Sequence, residues 1–261
     1  ELKKLPIGIQ TFSEIREDDY VYVDKTDIAY NLIDSYKYVF LSRPRRFGKS
    51  LFLDTLRNIF EAKKEYFKGL AIEDKWDWET SYPVIHINFA KGKIESRTEL
   101  DEAIIRTLRN NQEKLGIECE EKGSVAGCFE ELIKKAYKKY NQKVVILVDE
   151  YDKPILDNIE NTQVAESVRD GLINFYSVIK GSDEFLRFAF LTGVSKFTKT
   201  SIFSGLNNLV DISLDKEFGD ICGYSQNDVE TTFEPYLKGV DMKELKDWYN
   251  GYNFLGSSMY N

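Results

Sequence analysis

Short continuous apolar runs alternate with helical stripes along most of this chain. Tyr38-Val39-Phe40-Leu41 predicts a strand, and Leu51, Leu53, Leu56, Ile59 and Phe60 predict a helix over 51–60 behind it. Upstream, Tyr20-Val21-Tyr22-Val23 reads as a short β-type run. Asp24-Lys25-Thr26-Asp27 then supplies capping residues for a helix carrying Ile28, Leu32 and Ile33. Residues 1–20, anchored by Ile7, Ile9, Phe12 and Ile15, read as an extended lead-in. Val84-Ile85-His86-Ile87-Asn88-Phe89 predicts a buried strand, whose His86 reads as a packed core residue rather than a catalyst. Helices are expected over 97–115 and 126–140, with a loop over 116–127 between them.

The aliphatic run Val144-Val145-Ile146-Leu147-Val148 has no polar alternation, as a central parallel strand covered on both faces requires, and it ends in Asp149-Glu150. A helix over 164–179 and a strand over 185–191 follow, the strand ending in Thr192-Gly193-Val194-Ser195-Lys196. Val210-Asp211-Ile212-Ser213-Leu214 offers a last strand. Helices reaching 237 and covering 242–249 give the tail a helical lid character. This order predicts an α/β fold with a mostly parallel central sheet flanked by helices, over residues 1–215, with 216–261 as a helical lid or the start of a second domain.

Three of these element ends carry chemistry. The strand at 38–41 runs into Arg43-Pro44-Arg45-Arg46-Phe47-Gly48-Lys49-Ser50 and a helix follows, the setting of a phosphate-binding loop G-x-x-x-x-G-K-[ST]. In that motif backbone N–H groups cradle phosphates, the lysine reaches the β/γ-phosphates and the hydroxyl binds Mg²⁺. Gly48, Lys49 and Ser50 fit, while Arg43 holds the place of the leading glycine. Arg43, Arg45 and Arg46 have three readings: bidentate contacts to phosphate, contact with a neighbouring subunit, or solvation or structural pairing.

The Asp149-Glu150 strand matches a Walker B strand, with Asp149 placed to hold Mg²⁺ and Glu150 to orient and deprotonate a water. Against this stands the plain fact that many strands end in Asp. Thr192 and Ser195, with Lys196 behind them, are candidates for a sensor of the γ-phosphate or a small polar turn. Arg169 and Arg187 are available as arginine fingers. Cofactor contacts are therefore expected from Arg43, Arg46, Gly48, Lys49, Ser50, Leu51, Thr192 and Ser195, metal contacts from Ser50 and Asp149, and catalysis from Lys49 and Glu150.

Composition narrows the partners. The 261 residues carry a formal charge of −8, which argues against non-specific wrapping of a phosphate backbone while permitting a local basic patch. Cys119, Cys128 and Cys222 lack metal spacing and are odd in number, so a reducing cytoplasm is the simplest setting. No apolar run approaches a membrane span and no signal-peptide core opens the chain. Without an initial Met, and ending at Tyr260-Asn261, the sequence reads as part of a longer chain.

The extra strand and the Glu beside the Asp suggest the P-loop class with an added strand between the two Walker strands. Leu5-Pro6-Ile7-Gly8, Tyr22-Val23-Asp24-Lys25-Thr26, the Arg43–Ser50 loop, Asp149-Glu150-Tyr151-Asp152-Lys153-Pro154, Leu191-Thr192-Gly193-Val194-Ser195 and Trp248-Tyr249-Asn250-Gly251-Tyr252 together resemble the AAA-ATPase-like family of prokaryotic P-loop NTPases. That resemblance implies ATP and Mg²⁺ as cofactors, with Lys49 and Ser50 on nucleotide phosphate and Mg²⁺ and Asp149 and Glu150 on metal and water. Members often carry a PD-(D/E)XK nuclease-like domain downstream, whose motif this sequence does not contain. The expected function is Mg²⁺-dependent ATP binding and hydrolysis coupled to conformational change. The alternatives are a nucleotide-gated scaffold that scarcely hydrolyses ATP and a DNA-handling protein. A homo-oligomer and an attached nuclease-like domain are the further partners to test.

Overall fold

The computed structural model describes residues 2–6, 8–43, 48–194, 202–203, 206, 208–219, 221, 224–225, 252–254 and 257–260. In chain order its elements are α1 (Phe12–Glu17), α2 (Thr26–Ser35), β1 (Tyr38–Ser42), α3 (Lys49–Phe60), β2 (Val84–Asn88), α4 (Arg97–Leu115), α5 (Val125–Tyr140), β3 (Val144–Asp149), α6 (Lys153–Leu156), α7 (Thr162–Gly181), β4 (Leu186–Gly193), β5 (Val210–Asp211), β6 (Tyr224–Ser225), β7 (Tyr252–Phe254) and β8 (Ser257–Tyr260). Five strands form one sheet in the order β2-β3-β4-β1-β5, and the registers of β2 with β3, β3 with β4 and β4 with β1 are parallel. The added strand expected between the Walker strands is thus β4; the strand at Val84 intervenes in sequence but lies on the other side of β3.

Contacts divide the chain into two compact units. One holds Tyr36–Arg43 and Ser81–Val210, the other Glu1–Ser35, Pro44–Thr80 and Asp211–Asn261. In the first, β3 is buried at all six positions, as its unbroken aliphatic run requires. Val144, Ile146 and Val148 join a core with Leu100, Ile104 and Leu108 of α4, Phe129 and Leu132 of α5, and Leu172 and Phe175 of α7. Each such side chain contributes about 1.5–3 kcal/mol on burial, and Phe129 and Phe175 stack with ring centroids 4.6 Å apart. The outer edge of β2 is closed by a side chain. His86 donates its backbone N–H to Asn111 Oδ1 at 2.9 Å, and its carbonyl accepts from Asn111 Nδ2 at 2.9 Å. The only histidine is therefore a strand residue gripped by α4, as expected from its place in the run.

Cys119 and Cys128 are joined by a disulfide with Cα atoms 5.5 Å apart, across the loop between α4 and α5. The odd cysteine count concealed this pair, so it carries no argument about compartment. Among the described residues no helix is long and apolar enough to cross a membrane.

The second unit departs from expectation at its start. Residues 12–17 form α1 rather than an extended lead-in, because Phe12 N–H donates to Asp54 Oδ2 of α3 at 2.6 Å and the Phe12 ring packs 4.8 Å from that of Phe67. The Tyr20–Val23 run buries Val21 and Val23 on alternate positions without forming a ladder. Its partner is a single bridge to Lys4, with Val21 N–H donating to the Lys4 carbonyl at 2.8 Å. Asp24 then accepts from Thr26 N–H and Thr26 Oγ1, at 2.8 and 2.6 Å, and from Ala71 N–H at 2.8 Å.

The strand expected over 210–214 is only two residues long. Asp211 Oδ1 accepts from Ser213 N–H at 2.9 Å, turning the chain out of the sheet. In the tail, β6, β8 and β7 form an antiparallel sheet in that order, while the helices expected up to 237 and over 242–249 lie outside the described residues.

Candidate active site

The parallel registers align the carboxyl ends of four strands. Ser42 lies opposite Gly193, Val148 opposite Leu191 and Asn88 opposite Asp149, so Asp149 and Thr192 finish their strands side by side. Open α/β sheets place their ligands at this edge. Thr192 Oγ1 donates to Asp149 Oδ1 at 3.0 Å, and both residues are buried. A carboxylate removed from water needs such a partner, and this one pairs the expected metal ligand with the expected sensor.

Glu150 is held in an unusual conformation. Its φ is +55°, in the left-handed region where a side chain costs roughly 1–2 kcal/mol. The turn around it fixes that angle: Lys153 N–H donates to the Glu150 carbonyl at 3.2 Å, and Tyr151 N–H donates to the Thr192 carbonyl at 2.9 Å. Strain of this kind persists only where neighbours over-determine it, and it collects at functional positions.

Tyr151 is fully buried, edge-on to Phe40 with centroids 5.3 Å apart, and its carbonyl accepts from the Tyr176 hydroxyl of α7 at 3.3 Å. Burial, and after it the Asp152 carboxylate and Tyr151, push the Tyr176 phenol well above its ordinary value, so it stays a neutral donor. Arg43, in the place of the leading glycine, is buried at 1% exposure, which removes solvation from its three readings. Its N–H extends the β1–β4 ladder by donating to the Gly193 carbonyl at 3.1 Å, and Nη1 donates to the Ser42 carbonyl at 3.0 Å. A strand-end residue needs no glycine dihedrals, so the substitution is accommodated.

In the other unit, Gly48 precedes α3 with φ +78° and ψ 12°, a conformation that favours glycine. Lys49 opens the helix and is only 4% exposed, rare for lysine. Ser50 and Leu51 follow, both half-buried. Among the described residues no side chain caps α3, and its first turn holds no acidic residue, a helix start of the kind that suits an anion.

Arg46, Ser195 and Lys196 lie outside the described residues, as does Arg45. Arg187 stands at the amino end of β4, its guanidinium over the Tyr82 ring at 5.6 Å, at the opposite end of the strand from Thr192. That position excludes it as an arginine finger for its own site. Arg169 lies on α7 with its Nε buried.

Among the described residues no three His, Cys, Asp or Glu side chains gather around a cation position. Mg²⁺ needs no such cage, since it takes one or two carboxylates together with phosphates and waters. The Asp149 carboxylate and the Ser50 hydroxyl are each hard oxygen donors of the type it prefers. Sequence reasoning passed over Asp152 and Gly193, which hold the two strand ends together. The hydrogen bond from Val194 N–H to Asp152 spans 42 residues of sequence, and no local pattern signals it.

A parallel sheet in which the strand entering a Gly-Lys-Ser helix is separated from an Asp-Glu strand by one strand with a polar end defines a P-loop NTPase. More narrowly, the chain belongs to the AAA-ATPase-like family, described as predicted AAA-ATPase, whose model matches residues 6–203. It is 53% identical over 260 residues to a protein of Azotobacter chroococcum mcd 1 described as an uncharacterized protein in the vnfD 5′ region. That match takes in 99% of this chain and 50% of the relative, so the chain spans half the relative's length. Among solved structures, Cdc6p from Pyrobaculum aerophilum matches 76% of this chain and 46% of its own at 15% identity, with a TM-score of 0.35, too low to bear on the fold.

Proposed function

We propose that this P-loop ATPase-like domain binds ATP with Mg²⁺ and hydrolyses it. The observation that carries the reading is the Asp149–Thr192 hydrogen bond beside a glutamate held at φ +55°. Lys49 binds the β- and γ-phosphates, and the backbone N–H groups opening α3 receive phosphate oxygens. Ser50 and Asp149 hold Mg²⁺, which supplies neutralisation of phosphate charge when bound. Thr192 orients Asp149 through its hydroxyl. Glu150 accepts a proton from a water whose oxygen attacks the γ-phosphorus while the bond to the β–γ bridging oxygen breaks, giving ADP and phosphate.

Lys49→Ala is expected to weaken ATP affinity at saturating Mg²⁺ by about tenfold or more, the scale of one lost charge-assisted contact. Unchanged affinity in a calorimetric titration overturns the binding reading. Glu150→Gln is expected to keep ATP bound while abolishing phosphate release in a single-turnover assay. Wild type that binds ATP yet releases no phosphate turns the reading into a nucleotide-gated module.

A further inference from the structure

We propose that Asp152 is a positioning residue for hydrolysis, fixing the Thr192 strand end against the Glu150 turn; this rests on the hydrolytic reading above. Asp152 is fully buried, and its Oδ1 accepts from Val194 N–H at 3.3 Å, across 42 residues of sequence. An Asp preceding a helix is most simply a cap. Here it is not one, since Asp152 stands at the N-cap of α6 and its side chain makes no cap hydrogen bond there. The carboxylate is used on the neighbouring strand end instead.

Two hydrogen bonds therefore bracket Gly193. The Thr192 carbonyl accepts from Tyr151 N–H at 2.9 Å, and Val194 N–H donates to Asp152. Between them the strand end and the turn approach so closely that a Cβ on Gly193 would stand 2.3 Å from two Tyr151 ring carbons and 2.7 Å from Asp152 Oδ1. The turn is anchored on its far side as well. Lys153 Nζ donates to the Gly92 carbonyl and lies 2.9 Å from Asp157 Oδ2, while Asn158 Nδ2 donates to the Ile94 carbonyl at 2.7 Å. Asp152, Lys153 and Asn158 thus tie the residues after β3 to the end of β4 and to the loop that follows β2. The bond from Tyr151 N–H to the Thr192 carbonyl joins Thr192 to the Glu150 turn directly, so a shift of the β4 end moves the hydroxyl that holds Asp149.

Losing the Asp152 carboxylate should therefore damage turnover while sparing ATP affinity. Asp152→Asn keeps an acceptor at Oδ1; Asp152→Ala does not. For Asp152→Ala, ATP affinity is expected to stay near wild type while the single-turnover rate falls by about 10²-fold, the scale of a 1 Å misplacement. In the same variant the Val194 amide should exchange with solvent markedly faster, and Asp152→Asn should restore both rate and protection. An unchanged rate in Asp152→Ala overturns the proposal, and so does unchanged Val194 exchange. Equal loss of rate in both variants with Val194 protected in both also overturns it. A wild type without turnover removes the hydrolytic reading alone, and the exchange measurement still decides whether Asp152 holds the strand end.

Discussion

Glu150 occupies a backbone conformation that suits glycine and keeps a glutamate there, and this conflict has a measurable energy. Glu150→Gly relieves the left-handed strain, whereas Glu150→Ala retains it, so both lose the carboxylate but only one relaxes the turn. The glycine variant should be more stable than the alanine variant by about 1 kcal/mol in equilibrium urea unfolding, with phosphate release absent from both. Equal stability would mean that the turn does not impose φ > 0. Single residues were legible to different depths. Asp149 and Glu150 announced themselves because an aliphatic run must end somewhere and two carboxylates are an uncommon ending. Arg43 could not be read as buried, since its surroundings come from β4, about 150 residues later in sequence. Asp152 was hidden for the same reason, its partner Val194 lying 42 positions away.

At the scale of elements, periodicity read burial well and pairing poorly. The strands β1, β2, β3 and β4 and helices α3, α4, α5 and α7 stand where continuous runs and helical stripes foretold them, because both patterns report which positions leave water. Val21 and Val23 show the limit: they alternate into the interior of their unit with only a single bridge beside them, and alternation says nothing about a ladder. Likewise, α1 depends on a carboxylate of α3 and β5 is cut short by Asp211, neither visible in a hydropathy pattern. The loop between α4 and α5 carries its own staple. Besides the disulfide, Glu131 accepts from Glu120 N–H at 2.5 Å and from Glu121 N–H at 3.2 Å, and Gln112 Oε1 accepts from Cys119 N–H at 2.8 Å. These bonds and Lys135 hold the Glu131 carboxyl below its usual range against the opposing effect of burial. Replacing Cys119 and Cys128 by serine should therefore preserve the fold. Closing a loop with a sequence separation of 9 contributes at most about 2–3 kcal/mol through the unfolded chain. Denatured, unreduced protein should show one reactive thiol of its three cysteines, and all three after reduction. Three reactive thiols before reduction would contradict the pairing.

For the molecule as a whole, the charge balance makes nucleotide binding a local matter. A chain of net charge −8 repels a polyanion at long range, so ATP affinity must come from built contacts, with Lys49 and the start of α3 set against that repulsion. A ligand that binds only folded protein stabilises it by about 2.7 kcal/mol at a hundredfold excess over its dissociation constant. In a domain of 150–250 residues each kcal/mol moves the melting temperature by roughly 2–4 °C, so Mg²⁺-ATP should raise it by about 5–10 °C. If Lys49 carries the phosphate contact as proposed, the tenfold loss of affinity in Lys49→Ala should leave about 1.4 kcal/mol and so cut the rise to about half or less. Chelating Mg²⁺ should shrink it if Asp149 holds the cation as proposed, since ATP then brings its charge to that carboxylate with no cation between them. Raising the salt concentration sorts the two sources of affinity: it screens the global repulsion as well as exposed attractions, and spares a buried lysine contact. A specific site therefore keeps most of its stabilisation in high salt. A rise that vanishes with salt in wild type and is equally large in Lys49→Ala would place the nucleotide on exposed surface cations rather than at the phosphate loop.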